Sequence, residues 1–164
     1  ITNLKLTGLT RMKGKKQFLT ENRKARHDYF FNEEIEAGVV LKGWEVKSIK
    51  SGQIAMKEAY ITFSNGECFI DGLSLTPVKG NAFITDEEKS RRKKLLLNKR
   101  EISKLREKVQ KDGITAIPYG LYLKNGLIKV MVVEAKGKKN HDKRQTVATR
   151  DWERSKARLL KSSL

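Results

Sequence analysis

Apolar residues in this chain fall mainly in short runs of alternating pattern, broken by turn residues, and only a few stretches carry helical spacing. Two hairpins give the clearest signals. Tyr60–Ser64 and Glu67–Ile70 flank Asn65-Gly66, and Leu121–Lys124 and Leu127–Val130 flank Asn125-Gly126. Both central residues of a type I′ turn need positive φ, which Asn and Gly accept most readily. His27–Phe31 predicts a first strand and Glu36–Leu41 a second, with acidic turn residues between them. Leu73–Thr76 and Thr115–Pro118 predict two more. Trp44, Val46, Ile49 and Lys50, closed by Gly52, predict a short helix. Asn98 and Glu101 stand as N-cap and N3 of a longer one, with Ile102, Leu105 and Val109 as its apolar stripe and Gly113 as its stop.

Many short strands with few helices predict a mainly β fold with flanking helices. The expected architecture is a small closed antiparallel β-barrel related to the oligonucleotide-binding fold, with a basic C-terminal tail. Residues 1–20 are polar, basic and aperiodic, and predict an N-terminal arm. Residues 21–139 predict the barrel domain, and 140–164 the tail. Ala148, Trp152, Ser155 and Leu159 follow helical spacing there, but an isolated helix of this length is marginal in water. The tail is therefore expected to be disordered when free and helical on an anionic partner.

Charge narrows the class of partner. Among 164 residues, 36 Lys and Arg face 19 Asp and Glu, for a net +17, a footprint for a polyanion such as nucleic acid. Cys68 stands alone, which excludes a disulfide framework and a cysteine-based zinc site. No apolar run approaches the ~18 residues of a bilayer span. Lys and Arg recur from Lys5 to Lys16, which leaves no apolar segment of a signal peptide, so a cytoplasmic protein without membrane contact is expected. The chain opens on Ile1, and Met12 is a candidate natural start.

Enzyme signals are thin: the sequence has no Gly-rich phosphate loop, no His-Glu-x-x-His and no Cys-x-x-Cys. Asp28 with Glu45 and Lys47 offers one alternative, a magnesium-dependent nuclease in which carboxylates hold metal and Lys steadies the phosphate. Binding signals are stronger as a set. Basic residues gather in Asn22–His27, in Arg91–Lys94, at the hairpin tip Lys124, and in Lys136, Lys138, Lys139, Lys143 and Arg144. Tyr29, Trp44, Tyr119 and Tyr122 are candidate platforms for base stacking. A second alternative is thus a generic barrel that binds single strands with little sequence preference.

Several of these segments, in this order and at these distances, resemble the small protein B family, the tmRNA-binding proteins of bacterial trans-translation. The resemblance runs from about Asn22 to the C-terminus. It rests on Asn22–Tyr29, Glu36-Ala37-Gly38, Gly43–Ser48, Lys94–Asn98, Leu121-Tyr122 with Lys124-Asn125, and Ala135–Lys139 running into Asp142-Lys143-Arg144. It implies a barrel fold with flanking helices, no catalytic residues and no cofactor. It further implies binding to the tRNA-like domain of tmRNA and delivery, with elongation factor Tu, to stalled ribosomes. Glu36, Leu96 and Asn98 fall at positions tied to tmRNA binding. Arg23, Arg26, His27, Lys124, Lys136, Lys138 and Lys139 are their expected neighbours. His141, Asp142, Lys143 and Arg144, with Trp152, Arg154, Lys156 and Arg158, are expected to enter the ribosomal decoding centre and the empty mRNA channel. One departure stands out. The family's Asp-Pro before the Arg-Lys-Leu-Leu-Leu run is replaced here by Asp86-Glu87-Glu88-Lys89-Ser90, so a longer or more mobile loop is expected over 81–90.

Overall fold

A computed structural model describes residues 16–80, 83–111 and 113–162. Strand β1 (Phe18–Glu21) leads into a one-and-a-half-turn helix, α1 (Arg23–Asp28), and then into the long strand β2 (Tyr29–Val39). Helix α2 (Gly43–Lys50) follows. Next come β3 (Ile54–Ala55), β4 (Tyr60–Ser64), β5 (Glu67–Asp71), β6 (Ser74–Leu75), helix α3 (Asp86–Ser90) and β7 (Lys93–Leu96). Helix α4 (Lys99–Lys111), the hairpin β8 (Thr115–Lys124) and β9 (Leu127–Gly137), and helix α5 (Asn140–Ser162) complete the chain. Both Asn-Gly turns form as expected, with positive φ at Asn65, Gly66, Asn125 and Gly126.

Seven strands make one antiparallel sheet in the order β1-β8-β9-β2-β7-β5-β4, and β3 pairs with β6 separately. The expected closed barrel is not found: the sheet is open, with β1 and β4 at its edges among the described residues. Beyond β8 the sheet ends in the four-residue strand β1, paired with β8 at Gly120–Tyr122, and no ladder joins β1 to β4 among the described residues. Pro118 sits at a register shift of the β8–β9 ladder, the kind of place where a sheet tolerates proline.

Three further expectations change. The acidic residues read as a turn between two strands lie within one continuous strand, β2, because β9 pairs with it from Tyr29 to Gly38. The pattern is interrupted only by a bulge between Phe31 and Glu33, which shifts the alternation by one and imitates a break. His27 and Asp28 belong to α1, capped by the Asn22 side chain, which accepts from the Ala25 N–H at 3.2 Å. Likewise Thr115–Lys124 is one strand. The arm read over 1–20 ends earlier, since Phe18–Glu21 is β1; residues 1–15, with Met12, lie outside the described residues. The segment 86–90 is ordered as α3, its N-terminus capped by Thr85.

Alternation along β9 puts a core on each face of the sheet. Val130 and Val132 join Ala37, Ile49, Ile70, Leu95, Ile102, Leu105 and Leu121 on one side, beneath α2 and α4. Met131 and Val133 join Ala25 of α1, Ile117, Tyr119, Tyr122 and Ala135 on the other, with the Phe18, Tyr29 and Phe31 side chains packed against them.

Charged groups are also built into the interior. Glu45, fully buried on α2, accepts from Arg91 at 2.5 Å and from the Lys42 N–H at 2.6 Å, and faces the buried Lys93 ammonium at 3.6 Å. Burial pushes the Lys93 ammonium below its ordinary pKa of 10.5, with Glu45 opposing that shift. On the far side of the sheet's first core, Lys108 of α4 reaches both oxygens of buried Glu134 and one of Glu33. Among the described residues no helix is long and apolar enough to cross a membrane.

Glu45→Leu leaves Lys93 as an uncompensated buried charge and is expected to cost about 3–5 kcal/mol of stability. The double variant Glu45→Leu with Lys93→Met should recover most of that loss. Chemical denaturation midpoints check both; equal losses in the single and double variants would contradict the pairing.

Candidate nucleic-acid interface

The register of the ladders gathers the first group of candidate residues. Phe18, Tyr122, Lys129, Gly38 and Leu96 lie in one transverse row across β1, β8, β9, β2 and β7. Strand alternation puts Glu36 and Lys124 on that same face. Leu96 is more than half exposed, and Gly38 lets it lie close: a Cβ on Gly38 would stand 3.2 Å from the Leu96 Cβ. Asn98, exposed at the start of α4, has its N–H accepted by Glu101 at 2.8 Å, one half of the expected capping box.

Glu36 is an acid on a strongly basic protein, and both of its oxygens are engaged. Lys124 donates to Oε1 at 2.7 Å and the Tyr122 hydroxyl donates to Oε2 at 2.5 Å. The Lys124 hydrogen bond, then that of Tyr122, holds the Glu36 carboxyl below its ordinary 4.5. Burial, followed by Glu36, pushes the Tyr122 hydroxyl above its ordinary 10.0. Lys16 lies over the Tyr122 ring, 4.8 Å from its centre.

A second group lies at the other end of β2, seven residues and about 23 Å away at the usual rise of a strand. Arg26 stacks over Tyr119 at 5.0 Å, and exposed Arg23 pairs with Glu21 at 3.0 Å. His27 bonds Asp28 at 3.0 Å, and Lys143 of α5 approaches the same Asp28 oxygen at 3.4 Å. His27 first, then Lys143, hold the Asp28 carboxyl below its ordinary 3.8. Lys136 and Lys139 are exposed, while Lys138 donates to the Arg26 carbonyl at 3.0 Å. The candidate residues therefore form two clusters along one strand rather than a single convergence point.

From Asn140 the tail is a helix of about 35 Å at the α-helical rise. Residues 140–162 are helical, started by Asp142, which accepts the Lys139 N–H at 3.1 Å. His141 pairs with Asp142 at 3.0 Å, and Lys138 reaches Thr146 at 3.4 Å. Beyond Thr146 every side chain through Leu160 is exposed. Arg144 is exposed near the start of the helix, and Trp152, Lys156 and Arg158 stand along this exposed length, as does Arg154, paired with Asp151 at 3.8 Å.

Other candidates dissolve. Arg91–Lys94 is not a free basic run: Arg91 and Lys93 serve Glu45, Arg92 pairs with Asp71 at 3.5 Å, and Lys94 pairs with Glu67. Tyr119 and Tyr122 are buried, which removes them as stacking platforms, and Tyr29 and Trp44 are half-buried. The nuclease set separates as well, since Glu45 is sealed against Arg91 and Lys93 while Asp28 is held by His27 and Lys143 and Lys47 is exposed on α2. Among the described residues no cluster of carboxylate, His or Cys side chains is placed to hold a metal ion. What sequence reading missed is Tyr122 as a partner of Glu36. Alternation along β8 puts Tyr122 on the same face as Lys124, but only the β8–β9 and β9–β2 ladders bring it to Glu36.

Comparison with known proteins follows the same lines. A family model described as SmpB protein matches residues 19–162. An SsrA-binding protein of Coxiella burnetii (strain RSA 493 / Nine Mile phase I) is 48% identical over 141 residues, covering 86% of this chain and 89% of the relative. One from Psychrobacter cryohalolentis is 46% identical over 143 residues, covering 87% and 90%. A solved chain reported as "tmRNA-SmpB: a journey to the center of the bacterial ribosome" superposes with a TM-score of 0.61 at 38% identity. It covers 74% of this chain and 85% of that one.

The folded-state pKa of Glu36 is depressed, so its stabilising contribution is present above the unfolded value near 4.5 and is lost as pH falls through the folded value. Carboxyl NMR titration should find Glu36 below 4.5 in the wild type and closer to 4.5 in Lys124→Met. An unchanged titration in that variant would remove Lys124 as the cause.

Proposed function

This chain belongs to the SmpB protein family, and from that premise we propose that it is an RNA-binding adaptor of trans-translation, not an enzyme. It binds the tRNA-like domain of tmRNA and brings it, with elongation factor Tu, to stalled ribosomes in the cytoplasm. Its body is an open-sheet relative of the oligonucleotide-binding fold. The observation that carries the reading is the placement of Glu36, Lys124 and Leu96 on one sheet face, with Lys124 bonded to Glu36, at the positions where the family resemblance expects tmRNA contact.

Glu36 acts by position. A carboxylate facing a polyanion is repulsive by itself, but here both oxygens are spent on orienting Lys124 and Tyr122. The fixed Lys124 ammonium then meets a phosphate with less rotamer freedom left to lose. Arg23, Arg26, His27, Lys136, Lys138 and Lys139 extend the contact along the second cluster, and Asn98 with Leu96 completes the first.

The tail is a separate device. From Val147 to Leu160 its side chains are exposed, so α5 is a marginal helix that exchanges with coil in solution and gains order on RNA. His141–Arg144 at its base and Trp152, Arg154, Lys156 and Arg158 along it enter the decoding centre and the mRNA channel. An mRNA already in that channel excludes them sterically, which selects stalled ribosomes. Generic single-strand binding is less well served, because two of its aromatic platforms are buried.

Glu36→Gln removes a negative charge from the RNA-facing side, so simple electrostatics expects tighter binding. Positioning expects the opposite, a loss of about tenfold, equivalent to ~1.4 kcal/mol, in tmRNA affinity. Filter binding at fixed salt separates the two. Truncation after Lys139 should leave tmRNA affinity nearly intact while abolishing tagging on stalled ribosomes; joint loss of both would make the tail part of the RNA-gripping body.

A further inference from the structure

Cations lie over the rings of Tyr122, Tyr119, Phe31, Phe69 and Phe30. Four of these are closed or compensated. Tyr119 and Tyr122 are buried, Phe31 packs into the second core, and the Arg92 over Phe69 is tied to Asp71. Phe30 differs. It is 48% exposed, and the Lys138 ammonium stands 4.9 Å from its centre. Lys138 is held there by neutral acceptors, the Arg26 carbonyl at 3.0 Å and Thr146 at 3.4 Å. Lys136 lies directly across the ladder from Phe30, close enough for side-chain contact. Neither lysine forms an ion pair with a carboxylate among the described residues.

We propose that Phe30, flanked by Lys136 and Lys138, is a stacking site for an unpaired RNA base. This rests on the RNA-binding reading above and names a contact within it. A base covers the half-exposed ring favourably once the Lys138 ammonium moves from above it to a neighbouring phosphate, and Lys136 takes a phosphate on the other side. The site adjoins both α1 and the root of α5, so the base comes either from tmRNA or from ribosomal RNA.

The test uses full-length protein with two probes, a transcript of the tmRNA tRNA-like domain and purified small ribosomal subunits, each titrated over a range of salt. Phe30→Leu should weaken binding to at least one probe about tenfold at every salt, with an unchanged log–log slope, because stacking releases no counterions. Phe30→Trp should restore the affinity. Lys136→Met should lower the slope by about 0.7–0.9 for the same probe. The probe that responds identifies the source of the base, and thermal melting of Phe30→Leu should match the wild type. Equal binding by Phe30→Leu and wild type to both probes overturns the site, as does failure of Phe30→Trp to restore a loss. Wild-type protein that binds neither probe overturns the RNA-binding reading itself, an outcome distinct from the other two.

Discussion

The β2–β9 ladder is the constraint on which the rest of the molecule hangs. It runs from Tyr29 opposite Gly137 to Gly38 opposite Lys129, and β9 is buried on both faces from Ile128 through Ala135 except at Lys129. A strand enclosed on both sides divides its side chains between two cores, so each face of the sheet must recruit its own cover. On one face α2 and α4 supply it; on the other, α1 and the Phe18, Tyr29 and Phe31 side chains do. The same ladder sets the spacing between the two cationic clusters, since each is anchored to one end of β2. Function and stability are therefore read from a single register.

Charge has been sorted by this architecture. The formal excess of +17 is spread over the sequence, yet many cations are already committed to acids. Lys93 and Arg91 face Glu45, Lys108 faces Glu134 and Glu33, and Lys94 faces Glu67. Lys136, Lys138, Lys139 and Arg144 at the root of α5, and Arg150, Lys156 and Arg158 along it, form no ion pair with a carboxylate among the described residues. A run of basic residues in the sequence is thus a poor guide to a binding surface, because pairing across strands decides which charges remain available.

Local chemistry made much of the fold legible. The two Asn-Gly turns, the Gly52-terminated helix and the α4 stripe were all readable from short segments. Non-local pairing was not. β1 hides in a basic stretch because its partner, β8, lies about a hundred residues away in sequence. The bulge in β2 shifts the hydrophobic alternation and so resembles a turn, and Arg91–Lys94 looks like surface until Glu45 is brought to it. The candidate site divides in the same manner. Glu36, Leu96, Asn98 and Lys124 were identified through family resemblance, while the bond from Tyr122 and the exposure of Phe30 follow from tertiary placement alone.

The root of α5 has a geometric consequence. The helix is attached through Lys138, Asp142, Lys143 and Thr146, all within its first two turns or the residues just before it. Whenever it is helical, this rod of about 35 Å fixed at one end acts as a lever: a tilt of about 20° at the base carries its tip through about 12 Å. Small rearrangements among a few polar contacts are thereby converted into displacements as large as a helix diameter. The body can hold one partner in fixed register while the far end of the same helix reaches a second surface about 35 Å from its root.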